Sequence, residues 1–213
     1  MNIQFKEVLP HPLKEIKHQD RSIWGSSFSL EKGHKILLNA ASGKGKTTFT
    51  HILAGIRNDF NGQLFIDNED SSAISPEKWA EIRQKKMAFI FQDLQLFNEL
   101  TVRENLLIKH QLAKKESEET IQKMVELLGI GDKWEIKCGL LSMGQQQRVA
   151  IIRALIQPFE WLIMDEPFSH LDEQNTLICL DLIHQKCKEQ NAGFVLTSLG
   201  SKHEKKYDKE LYL

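Results

Sequence analysis

Lys35-Ile36-Leu37-Leu38-Asn39-Ala40-Ala41-Ser42-Gly43-Lys44-Gly45-Lys46-Thr47-Thr48 is the segment that reveals the architecture. Lys35 to Asn39 reads as a buried strand, Ala40 to Gly45 as a loop of small residues, and Lys46 onward as a helix that stops at Gly55. A phosphate needs backbone N–H donors converging from a tight loop, and glycine lets the backbone come close. The helix after the loop adds the positive end of its dipole. The spacing therefore predicts a nucleotide-phosphate cradle built from Ala40, Ala41, Ser42, Gly43, Lys44, Gly45, Lys46, Thr47 and Thr48. Lys46 would set its ammonium on the β- and γ-phosphates, and the Thr47 hydroxyl would ligate Mg²⁺. One position departs from G-x-x-x-x-G-K-[ST]: Ala40 stands where the first glycine belongs. Alanine is the smallest replacement, so the loop survives if φ there is negative.

On either side of this segment, short apolar runs alternate with helical patterns, the rhythm of an α/β fold with a mainly parallel sheet. Gln63 to Ile66 and Met87 to Phe91 are strand candidates split by a short helix that Pro76 opens. Trp161 to Met164 and Phe194 to Thr197 are buried-strand patterns, with a helix from Glu173 to Gln190 between them. Residues 93–157 read as a helical insert in that core. Thr101-Val102-Arg103-Glu104 is a capping box, and Ser117 starts a helix with Ile121, Met124, Val125 and Leu128 on one face. No linker breaks the chain, so residues 1–213 read as one domain.

Composition narrows the function. The 213 residues are 41% hydrophobic and 27% charged, a globular balance. Lys and Arg number 28 against 29 Asp and Glu, a net charge of −1 that argues against a nucleic-acid binder. No apolar run approaches the roughly 18 residues of a bilayer span. Charged Lys6, Glu7, Lys14 and Glu15 occupy the place of a secretory apolar segment, so a soluble cytosolic protein is expected. Cys138, Cys179 and Cys187 lack metal-ligand spacing and are expected to be reduced, buried thiols.

Two further segments carry chemistry. Trp161-Leu162-Ile163-Met164-Asp165-Glu166-Pro167 is a strand ending in two carboxylates, at the edge where α/β sheets bind ligands. Asp165 suits Mg²⁺, and Glu166 suits polarising a water for attack. Leu141-Ser142-Met143-Gly144-Gln145-Gln146-Gln147-Arg148 starts a helix, with Ser142 and Gln145 at capping-box spacing. Ser142, the Gly144 backbone and the helix dipole also make a second anion site.

With these segments the chain resembles the ATP-binding subunits of ABC transporters, whose signature is L-S-G-G-Q. Gln92 in Phe91-Gln92-Asp93 matches their Q-loop, Ser169-His170-Leu171-Asp172 their D-loop, and Asp165-Glu166 their Walker B pair. The resemblance implies a P-loop NTPase (RecA-like) core with a mainly parallel sheet, an N-terminal antiparallel β part and an inserted helical subdomain. It further implies an ATP-bound homodimer paired head to tail. Lys46, Thr47, Gln92 and Asp165 would then serve ATP and Mg²⁺ in cis. Ser142, Gly144 and Gln145 would serve the γ-phosphate in trans, with Asp172 at the dimer junction. Glu166 would be the catalytic carboxylate, assisted by Gln92 and by Ser198.

The implied function is ATP hydrolysis that powers a separate integral membrane permease, from the cytoplasmic inner face of the membrane and without nucleic acid. Ile82-Arg83, Met87 to Gln92 and Leu100 to Asn105 look like the lipoprotein-release, macrolide-efflux and cell-division branch. Three departures stand out. Met143 replaces the first signature glycine, and between Pro10 and Ser22 the only flat side chains are His11 and His18, with Trp24 following. Ser198 occupies the place of the switch histidine, with His203 five residues on. That last departure keeps open an alternative, an ATP-dependent regulatory clamp with little turnover acting on a membrane partner.

Overall fold

The computed structural model of the chain describes residues 1–16, 21–113, 116–198 and 207–213. His18, Lys114, Lys115 and His203 lie outside the described residues. In chain order the elements are β1 (Ile3–Pro10), β2 (Phe28–Leu30), β3 (Lys35–Asn39), α1 (Lys46–Leu53), β4 (Phe60–Ile66), β5 (Glu69–Asp70), α2 (Pro76–Lys85) and β6 (Met87–Ile90). Then follow α3 (Val102–Ala113), α4 (Glu118–Leu127), α5 (Met143–Leu155), β7 (Trp161–Asp165), α6 (Glu173–Gln190), β8 (Gly193–Ser198) and β9 (Lys209–Tyr212).

Five strands form one parallel sheet in the order β6-β7-β8-β3-β9. Its inner strands have apolar residues at consecutive positions because both faces are covered. Leu37, Leu162, Met164, Phe194 and Leu196 point into one core, shared with α3 to α6. Their neighbours Ile36, Leu38, Trp161, Ile163 and Val195 point into the other, shared with α1, α2 and an antiparallel sheet. That second sheet has the order β2-β1-β4-β5 and is the antiparallel part that the family resemblance implies. Within it, β1 alternates from Ile3 to Lys6 and then breaks at Glu7, which sits at φ +53° where the register with β4 shifts. So short an alternation does not announce a strand. β2, with three residues, and β9, with four, are shorter still.

Between β6 and β7 the described elements are all helical. The Thr101 N–H reaches Glu104 Oε2 at 2.7 Å and the Glu104 N–H reaches Thr101 Oγ1 at 3.1 Å, closing the capping box. Ile121, Met124, Val125 and Leu128 pack into the core as one helix face. Cys138, Cys179 and Cys187 are free and buried. Burial pushes the Cys138 thiol up to about 11 and the Cys179 thiol to about 12, so neither is a nucleophile near neutrality.

Candidate functional site

Register brings the chemistry to one edge. Asp165 lies opposite Thr197 and Asn39 opposite Ser198, so β7, β8 and β3 end abreast. The loop that leaves β3 turns there into α1. Gly45 sits at φ +100°, and a Cβ on it would stand 2.6 Å from Leu13 Cδ1. The left-handed backbone favours glycine there, and any Cβ would oblige the Leu13 side chain to shift. Ala40 is not among the residues with positive φ. It is buried, its N–H donates to the Ser198 carbonyl at 3.2 Å, and its own carbonyl accepts from Lys46 Nζ at 3.1 Å. A methyl group costs nothing at such a position, which explains the departure from the glycine pattern.

Lys46 is the hub of the loop. Its buried Nζ also contacts the Ala41 carbonyl at 3.2 Å and Glu166 Oε1 at 3.2 Å. Thr47 Oγ1 donates to Asp165 Oδ2 at 2.7 Å. Asp165, only 1% exposed, accepts at its other oxygen from Thr197 Oγ1 at 2.7 Å. Glu166 follows at φ +49°, in the left-handed region that side-chain-bearing residues seldom adopt. A cleft of about 240 Å³ is lined by Ser42, Gly43, Gly45, Lys46, Thr47, Thr48, Gln92 and Glu166, with Leu13 at its rim.

Gln92 leaves β6 just before two consecutive left-handed residues, Leu94 (φ +57°) and Gln95 (φ +53°). Arg153, near the end of α5, donates to both of their carbonyls, at 2.7 and 2.6 Å. Burial lowers the Arg153 pKa from its ordinary value. The same segment borders an apolar groove of about 570 Å³ that includes Phe89, Phe91, Asp93, Phe97, Ile108 and Arg153. Phe97 is 55% exposed there, and Ile56 on its rim 60%.

Ser142, Gly144 and Gln145 are not brought to the cleft. The Ser142 Oγ accepts from the Gln145 N–H at 3.3 Å, and Gln145 Oε1 accepts from the Ser142 N–H at 2.9 Å. The capping box thus fixes the start of α5 with Ser142 exposed. A Cβ at Gly144 would stand 2.7 Å from the His170 carbonyl. Glycine is required there by the turn at Ser169 to Asp172, apart from any ligand. Buried Gln147 locks the same turn to α5, donating to Ser169 Oγ at 2.8 Å and accepting the His170 N–H at 3.0 Å. Asp172 caps α6 through the Asn175 N–H, which lowers its pKa.

Residues 24–169 match the ABC transporter family. The chain belongs to that family. Among its relatives, the lipoprotein-releasing system ATP-binding protein LolD of Buchnera aphidicola subsp. Acyrthosiphon pisum (strain APS) is 36% identical over 176 residues, 81% of this chain and 77% of LolD. The macrolide export ATP-binding/permease protein MacB of Aggregatibacter actinomycetemcomitans is 32% identical over 174 residues, 80% of this chain but 27% of MacB. The ATP-binding cassette MJ0796, solved as a dimer in a post-hydrolysis state bound to ADP and Pi, aligns at a TM-score of 0.75 and 25% identity. That alignment covers 92% of this chain and 87% of the other.

In this ABC ATPase cassette the loop between β3 and α1, Gln92 and Glu166 line one cleft, Asp165 is held to it through Thr47, and the start of α5 is not among the residues that line it. Trp24, the flat side chain that follows Ser22, is buried beneath the loop, donating from Nε1 to the Lys44 carbonyl at 3.2 Å. Two further side chains that shape the site, Arg153 and Thr197, escape a reading of the sequence. An arginine late in a helix and a threonine at a strand end have no distinctive spacing, so only their contacts reveal them.

Proposed function

We propose that the cassette binds MgATP in the cleft beneath Gly43, Gly45 and Lys46 and hydrolyses it to drive a separate membrane subunit. The observation that carries this reading is the bonded set Lys46, Thr47, Asp165 and Glu166 at one sheet edge. The loop N–H groups and the Lys46 ammonium compensate the β/γ charge. Thr47, Asp165 and Gln92 would hold Mg²⁺. They are hard oxygen donors, too few for an all-protein cage, which suits an ion that keeps waters and phosphate oxygens. When bound, that ion neutralises charge on the phosphates. Glu166, beside Lys46, orients and deprotonates the attacking water, while Gln92 reaches into the same cleft from the segment that Arg153 grips.

The signature residues require a second copy. Ser142, Gly144 and Gln145 lie off the cleft of their own chain, so contact with a γ-phosphate comes from a head-to-tail partner. The first turn of α5 offers that phosphate its N–H groups and dipole. MJ0796 is dimeric with ADP and Pi bound, which supports the same assembly here.

Among the described residues no helix is long and apolar enough to cross a membrane. MacB carries a matching cassette within an ATP-binding/permease chain, and this chain spans 27% of it. LolD, matched over 77% of its length, is the ATP-binding protein of a lipoprotein-releasing system, which supports a cassette that acts with a separate permease subunit and sits peripherally on its cytoplasmic side. The groove at Phe89, Phe91 and Phe97 suits a short apolar-faced helix of that subunit. Phe91 and Asp93 line the groove while Gln92 lines the cleft, so docking and nucleotide contact share one segment. Phe97→Glu should leave MgATP binding intact but abolish copurification of an integral membrane partner from detergent-solubilised membranes. Equal recovery of that partner with wild type and variant would contradict the docking site. A second reading, a clamp with little turnover, is favoured by Ser198; steady-state ATPase with the partner present separates the two.

A further inference from the structure

We propose that Thr197 is a positioning residue that ties the two carboxylates of the cleft into one unit, aligning Asp165 toward the metal and Glu166 toward the water. Thr197 is 1% exposed at the end of β8, and parallel register sets it opposite Asp165. Its hydroxyl has two bonds. It donates to Asp165 Oδ1 at 2.7 Å and accepts the Glu166 N–H at 3.2 Å. The directions are fixed, since a carboxylate accepts and a backbone N–H donates. One oxygen atom therefore anchors both members of the pair.

The consequences differ for the two carboxylates. Asp165 is held at each oxygen, by Thr197 on one side and Thr47 on the other, so its carboxylate plane is pinned. Glu166 holds a left-handed backbone at φ +49°, a conformation that persists only where its surroundings enforce it. The bond to Thr197 supplies that enforcement directly at the Glu166 N–H. Without the hydroxyl, Asp165 turns about its side-chain axis and the Glu166 backbone relaxes, carrying Oε1 away from Lys46. Thr197 itself touches no reacting atom and acts through its neighbours.

This assignment rests on the MgATP reading of the cleft, and two comparisons keep them apart. Thr197→Val keeps the shape and removes the hydroxyl; Thr197→Ser keeps the hydroxyl. Calorimetry with ATP is run in Mg²⁺ and again in EDTA, beside steady-state turnover. Thr197→Val should bind ATP in EDTA as wild type does, yet lose on the order of 10-fold to 100-fold in Mg²⁺-dependent tightening and in kcat. KM should move less than kcat, and Thr197→Ser should recover most of both losses. If Thr197→Val fails to fold by circular dichroism, Thr197→Ala against Thr197→Ser makes the same comparison. A folded Thr197→Val that matches an active wild type overturns the assignment alone, as does equal damage by valine and serine. A wild type that binds no MgATP overturns the nucleotide reading and this one together.

Discussion

Glu166→Gln should arrest turnover, by about 10²- to 10⁴-fold, the range for losing a positioned general base. Glutamine keeps the shape but neither accepts a proton nor carries charge. Binding of MgATP should persist, because the loop amides and Lys46 supply the ground-state contacts. With hydrolysis blocked the closed form accumulates, so the variant should run as a dimer in saturating MgATP by light scattering. Ser142→Arg in the same background should remove that dimer. Ser142 is exposed at the start of α5, and arginine places bulk where the partner's phosphate would dock. A Glu166→Gln protein that turns over like wild type would show that another group activates the water.

Ser198 should limit the rate nearly as strongly. In the family resemblance this position holds a histidine that reaches the γ-phosphate and orients the attacking water. Serine is shorter and offers a single rotating hydroxyl, so it reaches a phosphate only through water. Here it closes β8 against the loop: its carbonyl takes the Ala40 N–H and it is 5% exposed. Losing one preorganised donor lowers turnover on the order of 10²-fold, about 3 kcal/mol in the barrier. Wild type should therefore bind ATP normally and hydrolyse it slowly, and Ser198→His should raise kcat by about that factor with little change in affinity. His203→Ala, measured beside it, should be harmless. A wild type already fast, or a Ser198→His protein no faster, would contradict this role.

Much of the fold is legible in the sequence because its strongest signals are local. Apolar runs of β3, β7 and β8, the capping residues Thr101, Ser117 and Ser142, and the helix stop at Gly55 each depend on a few adjacent residues. The cleft residues are legible for the same reason, since Gly43 to Thr48 and Asp165-Glu166 are contiguous. What stays hidden is what pairs at long range. The β1 strand takes its partner from β4 and β9 from β3, and neither declares that partner in its own pattern. Thr197 meets Asp165 only through the β7–β8 register, and Arg153 meets Leu94 and Gln95 across the helical insert. Gly144 is instructive in another way. The signature motif suggests phosphate contact, while the His170 carbonyl, 2.7 Å from where a methyl would stand, gives a packing reason for the same glycine.

Every role assigned to the cleft depends on MgATP binding at the loop between β3 and α1, and titration calorimetry of MgATP into wild type and Lys46→Ala decides whether it does. Lys46 joins the Ala40 and Ala41 carbonyls and Glu166 at the cleft, and among the described residues lining it no other carries a positive charge. Wild type should give a clear saturable isotherm, and Lys46→Ala should give none or one weakened by on the order of 10²-fold, the cost of removing a charge-assisted phosphate contact. Identical isotherms for the two folded proteins would contradict the assignment.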